Sequence, residues 1–278
     1  MKKFNVGLQL YSVKNAMKED FYGTLKAVRD MGYEYVEFAG YYDKSAEEIK
    51  AALDELGLKC ISVHQGIDFY DEDPMAAIKY LKTFGVKYSV IPWYSIEKLY
   101  GTAEWEETKA RFNKIAKLLY DNGMLLGYHN HEFEFYVADG KFLHEYIFES
   151  VPSEYIVPEF DTCWVRYAGC SPVEQIERYK GRVDIVHLKD FTCKELAAGP
   201  AYDLIGTDGK DIGTKRVDNK FEFRPLGCGM QEFGPILEAC ERCGTETVIV
   251  EQDAPSMGLT ELESVRKSRE YLRDTFGI

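Results

Sequence analysis

The sequence has no long apolar run. Nothing in it approaches the roughly 18 consecutive apolar residues of a membrane-spanning helix, so no membrane partner is expected. It is also short of positive charge, with 34 Lys and Arg against 47 Asp and Glu and a formal net charge of −13. A surface of that sign repels phosphodiester backbones, because nucleic-acid affinity rests largely on Lys and Arg neutralising phosphates. A small molecule is the partner this charge balance favours.

Other absences narrow the class further. Cys60, Cys163, Cys170, Cys193, Cys228, Cys240 and Cys243 form an odd set without a regular disulfide framework, as expected for reduced cytosolic thiols. Cys240 and Cys243 make the only CxxC. No second pair completes a ribbon-type zinc site, and the two read as ordinary residues closing a helix before Gly244. The first residues, MKKFNVGLQLYSV, carry no small-residue cleavage pattern, and a cytoplasmic location is expected. After the first apolar run the chain reads LYSVKNAMKED, where a doubly wound nucleotide-binding sheet usually shows a glycine-rich phosphate turn. No Pro, Gly and Ser linker divides residues 1–278, which are expected to form one domain.

What is present is a regular beat. Strand-like runs near residues 5–12, 33–40, 60–66, 88–93, 125–131, 155–161, 183–190 and 247–253 alternate with amphipathic helical segments. Eight such strands in a chain of this length predict a (β/α)8 TIM barrel. One connection breaks the rhythm. From about residue 191 to 231 the chain is rich in Gly, Asp and Lys, and such a long loop after strand 7 of a barrel falls on the catalytic face.

Barrel active sites form at the C-terminal ends of the strands. Four of the five histidines fall there: His64 on strand 3, His129 and His131 on strand 5, and His187 on strand 7; His144 lies in a helical segment. Glu37, Glu159, Asp161, Asp190, Glu251 and Asp253 are the acidic residues at the same end. Strand alternation puts His129 with His131, Glu159 with Asp161, His187 with Lys189, and Glu251 with Asp253 on common faces. Strands 5 to 8 are barrel neighbours, so one inward residue from each converges on a mixed nitrogen and carboxylate cage suited to Mn²⁺, Mg²⁺, Co²⁺ or Zn²⁺. Structural roles compete at each position. Asp161 is placed to N-cap the turn at Thr162, Glu251 to cap a neighbouring helix, and Lys189 to neutralise the acids without a metal.

GLQLYSV, VHQG, YHNHEFEF, FDTCW, VHLKD and VEQD, in that order along nearly the whole chain, resemble the sugar phosphate isomerase/epimerase family. That family is one of the xylose isomerase-like barrels, which also include keto-sugar 3-epimerases, inosose dehydratases and endonuclease-IV-type enzymes. The resemblance implies a divalent cation held by one residue from each of strands 5 to 8, commonly Glu, Asp, His and Glu. Asp161, His187 and Glu251 match the last three. The strand-5 glutamate is replaced by His129, with His131 and Glu134 close enough to compete for its place.

The resemblance further implies a keto sugar or sugar phosphate as substrate. The cation would acidify the C–H beside the carbonyl and stabilise an enediolate. A catalytic set of Glu251, His131 and Lys189 follows, with His64, Tyr11, Trp93 and Trp164 lining the mouth for substrate. Without the paired glutamates the expectation moves from a simple 3-epimerase toward isomerisation, or toward a lyase or dehydratase acting on a keto sugar or keto-inositol. The alternative of another class is a sugar-binding barrel without chemistry. The multi-zinc DNA-repair enzymes need more histidines and a basic groove, and both are missing. Gly227 and Gly229 offer a weak phosphate cradle. Relatives often pair, so a homo-oligomer is a further expectation.

Overall fold

The computed structural model describes residues 3–197 and 219–278. Eight parallel strands close into a barrel: β1 (Asn5–Gln9), β2 (Tyr35–Ala39), β3 (Lys59–His64), β4 (Tyr88–Ile91), β5 (Leu125–His129), β6 (Ile156–Asp161), β7 (Ile185–Leu188) and β8 (Thr247–Val250). They pair in chain order, and β8 returns to β1 with Asn5 opposite Thr247. The predicted barrel is the observed one.

Several strands stop earlier than their apolar runs suggest. β1 ends at Gln9, whose side chain accepts a hydrogen bond from the Tyr11 amide and opens a 3-10 turn over Leu10–Val13. β5 ends at His129, leaving His131 in the following loop. β8 ends at Val250, before Glu251 and Asp253. The polar side chains of the mouth thus begin where the backbone ladder stops.

The helices carry explicit start and stop signals. Ser45 and Glu48 form a reciprocal capping box for the helix Ala46–Leu56, which ends at Gly57 in the left-handed region (φ 65°). Thr260 and Glu263 do the same for Glu261–Phe276. The helix Thr162–Tyr167 is an addition to the predicted pattern, started by the Asp161 side chain. Cys240 and Cys243 lie at the end of Phe233–Cys243, which closes at Gly244, and all seven cysteines are unpaired.

The barrel interior has two storeys. The lower one is apolar, built from Tyr88, Val90, Val157, Ile185 and Ile249. Two glycines make room for it: a Cβ on Gly7 would lie 2.5 Å from Ile249 Cδ1, and one on Gly127 2.6 Å from Val90 Cγ2. The upper storey is polar and holds the strand-end residues. Leu8, Val36, Phe38 and Val63 belong to the larger apolar layer that the strands share with the surrounding helices. Among the described residues no helix is long and apolar enough to cross a membrane.

The long connection after β7 is structured at both ends. Asp190–Thr192 pairs antiparallel with Glu222–Arg224, so Asp190 belongs to this ribbon and not to β7. The Gly-, Asp- and Lys-rich middle of the connection, residues 198–218, lies outside the described residues. The weak phosphate cradle expected at Gly227 and Gly229 is not available. Both amides donate to Asp190 Oδ2, at 3.0 and 2.9 Å, and the Gln231 amide donates to Oδ1 at 3.1 Å. An internal carboxylate takes the place an anion would need.

His144 illustrates a cost hidden in the helical layer. Its ring is fully buried among Phe135, Phe142, Phe148 and Phe160, and the Tyr179 hydroxyl lies 3.2 Å from Nδ1. Burial, helped by the nearby Arg178 charge, pushes its pKa down to about 3. The folded ring stays neutral while the unfolded one takes a proton below about pH 6.5. The stability His144 contributes is therefore whole above about pH 6.5 and lost progressively as pH falls toward 3. From about pH 7 to 5 the loss is about 2 kcal/mol. Urea unfolding of wild type and His144→Phe at both pH values checks this: the variant is expected to lose about 2 kcal/mol less over that interval.

Candidate active site and cation centre

Register sets the height of each functional group. His187 on β7 lies level with Asp161 on β6 and Ile249 on β8, and His129 on β5 lies level with Glu159 on β6. His129, Asp161, His187 and Glu251, from four adjacent strands or their ends, each place one donor atom within 4.8 Å of the others. All four are buried. The last three are the residues the family resemblance points to, and His129 is one of the three strand-5 candidates it leaves open.

Asp161 has two jobs, one for each oxygen. Oδ1 accepts from the Cys163 and Trp164 amides at 2.7 and 3.1 Å, the N-cap expected as its structural role. That leaves Oδ2 fully buried and without a well-aimed hydrogen bond. Close to it lie Lys189 Nζ at 3.3 Å and His129 Nε2 at 3.7 Å. Asn130 serves the backbone instead. Its Oδ1 accepts from the Asp161 amide at 3.0 Å and ties the end of β5 to β6 at the level of the site.

Lys189 sits among three acids, with Nζ 2.7 Å from Asp253, 3.2 Å from Glu251 and 3.3 Å from Asp161. Burial opposes its charge, yet these carboxylates hold its pKa well above the ordinary value. Glu251 lies well below the carboxylate range. Burial pushes it up, but the Lys189 charge and the His187 hydrogen bond, 2.9 Å between Nδ1 and Oε2, outweigh that. For Asp161 burial wins, and its pKa is raised to about 7 against the pull of Lys189. Burial raises the Asp253 pKa too, and although burial opposes a charge on His187, Glu159 and Glu37 hold that ring well above its ordinary pKa, so protons stand in at the mouth where positive charge is wanted. A buried, unsatisfied carboxylate oxygen amid nitrogen and oxygen donors is a setting that suits a divalent cation. The residues fit the ion.

His129 and His131 are kept neutral. Burial drives both pKa values well below normal, and the neighbouring rings, His187 beside His129 and His129 beside His131, oppose a further charge. His131 stacks on Phe133 and lines the cleft beside His129. Glu134 is out of contention as a donor. Its carboxyl accepts from the Tyr128 hydroxyl at 2.9 Å and the His131 amide at 2.8 Å, and burial raises its pKa to about 8.

The cleft above these groups has a volume of about 310 Å³ and is lined by Tyr11, His64, Trp93, His129, His131, Lys189, Glu251 and Asp253, with Ala39 and Pro92. Trp93 and Tyr11, 41% and 38% exposed, form its open rim. Trp164 is not part of it. That ring is fully buried, stacked on Phe221 and edge-on to Phe223, and it backs Lys189 from 5.2 Å away. A larger groove of about 560 Å³ lies elsewhere, lined by Tyr70, Arg111 and Lys117 among others. Among the described residues, the converging sets of metal-type donors lie in the barrel and not in that groove, so the mouth is the candidate site.

Below the cleft lies a second polar cluster whose roles the sequence leaves unassigned. Glu37 accepts from Gln9 Nε2 at 2.6 Å and from the Ser62 hydroxyl. Its Oε1 is 3.1 Å from His64 Nε2 and 2.9 Å from His187 Nε2. Glu159 Oε2 is 2.8 Å from His64 Nε2, 3.2 Å from His129 Nδ1 and 3.3 Å from His187 Nε2. Strand alternation signals Glu159, which shares a face with Asp161. Nothing in the sequence signals that Glu37 on β2 meets His187 on β7, because the two strands are not neighbours.

The profile of the family described as "Xylose isomerase-like TIM barrel" matches residues 25–275. An inosose dehydratase from Glaesserella parasuis is 28% identical over 188 residues, covering 65% of this chain and 58% of that protein's length. Among solved structures, a sugar phosphate isomerase/epimerase from Parabacteroides distasonis superposes with a TM-score of 0.75 at 22% identity, over 99% of this chain and 95% of that one. An IolI protein with a bound zinc atom superposes with a TM-score of 0.69 at 15% identity, over 97% of each chain. At these identities the structural likeness is one of fold.

Proposed function

The chain belongs to the xylose isomerase-like TIM barrel family; from that premise we propose that it is an enzyme, a cation-dependent lyase that dehydrates a keto-inositol or keto sugar by removing a proton beside the carbonyl and expelling the β-hydroxyl, which takes up a proton and leaves as water. The observation that carries this reading is the buried Asp161 Oδ2, free of any well-aimed hydrogen bond and converging with donors from His129, His187 and Glu251. A divalent cation held by these four residues would polarise a carbonyl and an adjacent hydroxyl at the cleft floor.

The chain's own groups account for the rest. His131, neutral and on the cleft wall, accepts the proton, with Glu251 as the other candidate. Lys189 stabilises negative charge as it builds on the substrate oxygen. Trp93 and Tyr11 offer aromatic faces to the C–H surface of a ring, and His64 reaches a hydroxyl. Dehydration is favoured over epimerisation because His129 stands where one of two matched carboxylates would exchange a proton across the two faces. The similarity to a protein named inosose dehydratase supports the same choice.

The test is turnover in D₂O with the Mn²⁺-loaded protein and a keto-inositol. The expected product has lost one water and absorbs as an enone, and activity disappears with chelator and returns with Mn²⁺. A product of unchanged composition carrying one solvent deuterium would turn the reading to epimerisation or isomerisation. Retention of the sugar with no exchange and no product would leave a binding barrel.

A further inference from the structure

Two imidazoles in the barrel are gripped from both sides. His129 turns Nε2 toward Asp161 and Nδ1 toward Glu159, at 3.7 and 3.2 Å. His187 turns Nδ1 toward Glu251, at 2.9 Å, and Nε2 toward Glu37 and Glu159, at 2.9 and 3.3 Å. His129 thus stands between Asp161 above and Glu159 below, and His187 between Glu251 above and Glu37 and Glu159 below. Glu37 and Glu159 are fully buried, and neither lines the cleft.

We propose that Glu159 is a positioning residue for the cation centre: it holds the protonated Nδ1 of His129 so that Nε2 of the same ring faces the cation as a bare donor. This rests on the cation reading given above. A neutral imidazole that ligates through one nitrogen keeps its proton on the other, and a carboxylate accepting that N–H fixes both ring orientation and tautomer. Here one oxygen, Glu159 Oε2, takes hydrogen bonds from His64 on β3 and His129 on β5, with His187 Nε2 on β7 3.3 Å away and not aimed for a bond. Glu37 is locked by Gln9 and Ser62 and meets the same His187 nitrogen. The hydrogen bond to Glu159 fixes the proton on Nδ1 of His129.

The lower cluster is itself compact enough to enclose an ion, since His64, His129, Glu159 and His187 also offer atoms within 4.8 Å of one another. Simultaneous filling of both clusters would require His129 and His187 to ligate through both nitrogens as imidazolates. An ion in the lower cluster alone would lie beneath the cleft, away from substrate. One cation in the upper cluster, with the lower cluster as its proton-holding support, satisfies both constraints.

The test is titration of chelator-treated protein with Co²⁺, read by its visible absorption, together with ¹⁵N-histidine spectra of the Zn²⁺-loaded form. Wild type is expected to bind one Co²⁺ per chain and to show His129 as the Nδ1–H tautomer. Glu159→Gln is expected to weaken Co²⁺ binding about 10- to 100-fold and to mix the His129 tautomers, while its circular dichroism stays that of wild type. Unchanged affinity or unchanged tautomers in the variant would overturn the proposal. So would two Co²⁺ per wild-type chain with one lost on substitution, since Glu159 would then be a ligand. If the variant does not fold, the wild-type spectra decide: the Nδ1–H tautomer of His129 supports the proposal and the Nε2–H tautomer excludes it. A wild type that binds no Co²⁺ would overturn the cation reading itself and this inference with it.

Discussion

Asp161→Asn is expected to weaken divalent-cation binding by at least about 100-fold and to lower kcat/KM by about 10³-fold or more, while the fold survives. The carboxamide keeps an oxygen where Oδ1 accepts the Cys163 and Trp164 amides, so the start of the helix Thr162–Tyr167 is preserved. What it loses is the negative charge at Oδ2, the atom without a well-aimed hydrogen bond. Burial already pushes the Asp161 pKa up to about 7, a sign that the charged carboxylate is costly in the absence of a counter-ion. The metal-free variant should therefore melt within about 3 °C of wild type, since surrendering the charge costs little there. Isothermal titration with Mn²⁺, steady-state turnover and a thermal melt under chelator separate the three quantities. Wild-type cation affinity in the variant would remove Asp161 from the ligand set.

The barrel is legible in the sequence because its signals are local. Each strand is an apolar run, each helix an amphipathic segment, and stops such as Gly57 and Gly244 are written into the chain. The strand ends are less legible. Gln9, His131 and Asp253 sit in or beside apolar runs, but the ladder ends at or before them, and the Gln9 and Asp253 side chains bond instead to the Tyr11 amide and the Lys189 ammonium. The helix after Asp161 escapes the pattern for a related reason. TCWVRY is too short to show a clear period, and a capping carboxylate starts the helix instead.

Strand alternation and adjacency bring polar residues of strands 5 to 8 to one mouth, and the family resemblance picks out Asp161, His187 and Glu251 among them, while the strand-5 position stays open among His129, His131 and Glu134. Glu37 is recognisable as an acid at a strand end, but its contact with His187 crosses the barrel, and no spacing encodes that. Trp164 marks the opposite failure. An aromatic residue just past a strand end suits the mouth or the core equally well on sequence grounds. The helix capped by Asp161 carries the ring inward against Phe221 and Phe223, behind Lys189.

Lys189→Met is expected to destabilise the chelator-treated protein by about 3–5 kcal/mol, because it leaves buried carboxylates without their counter-charge. For a chain of this size that lowers Tm by roughly 10 °C. The Lys189 side chain is 2% exposed, contacts Asp161, Glu251 and Asp253, and places its ammonium 5.2 and 5.1 Å from the ring centres of Trp164 and Phe223. A methionine fills much of the same volume against those rings, so the loss is chiefly electrostatic. Mn²⁺ then tells the two sources of positive charge apart. A cation bound to the folded state neutralises Asp161 and Glu251 and stabilises it by mass action, so saturating Mn²⁺ should raise the Tm of the variant more than that of wild type. Removing the neighbouring ammonium should also tighten Mn²⁺ binding, since like charges no longer compete for the same two carboxylates. Turnover should nevertheless stay low, because nothing then stabilises charge on the substrate oxygen from that side. Differential scanning calorimetry with chelator and with Mn²⁺ is the measurement. Equal destabilisation in both conditions would make Lys189 the sole counter-charge of the mouth, and the cation centre would fall.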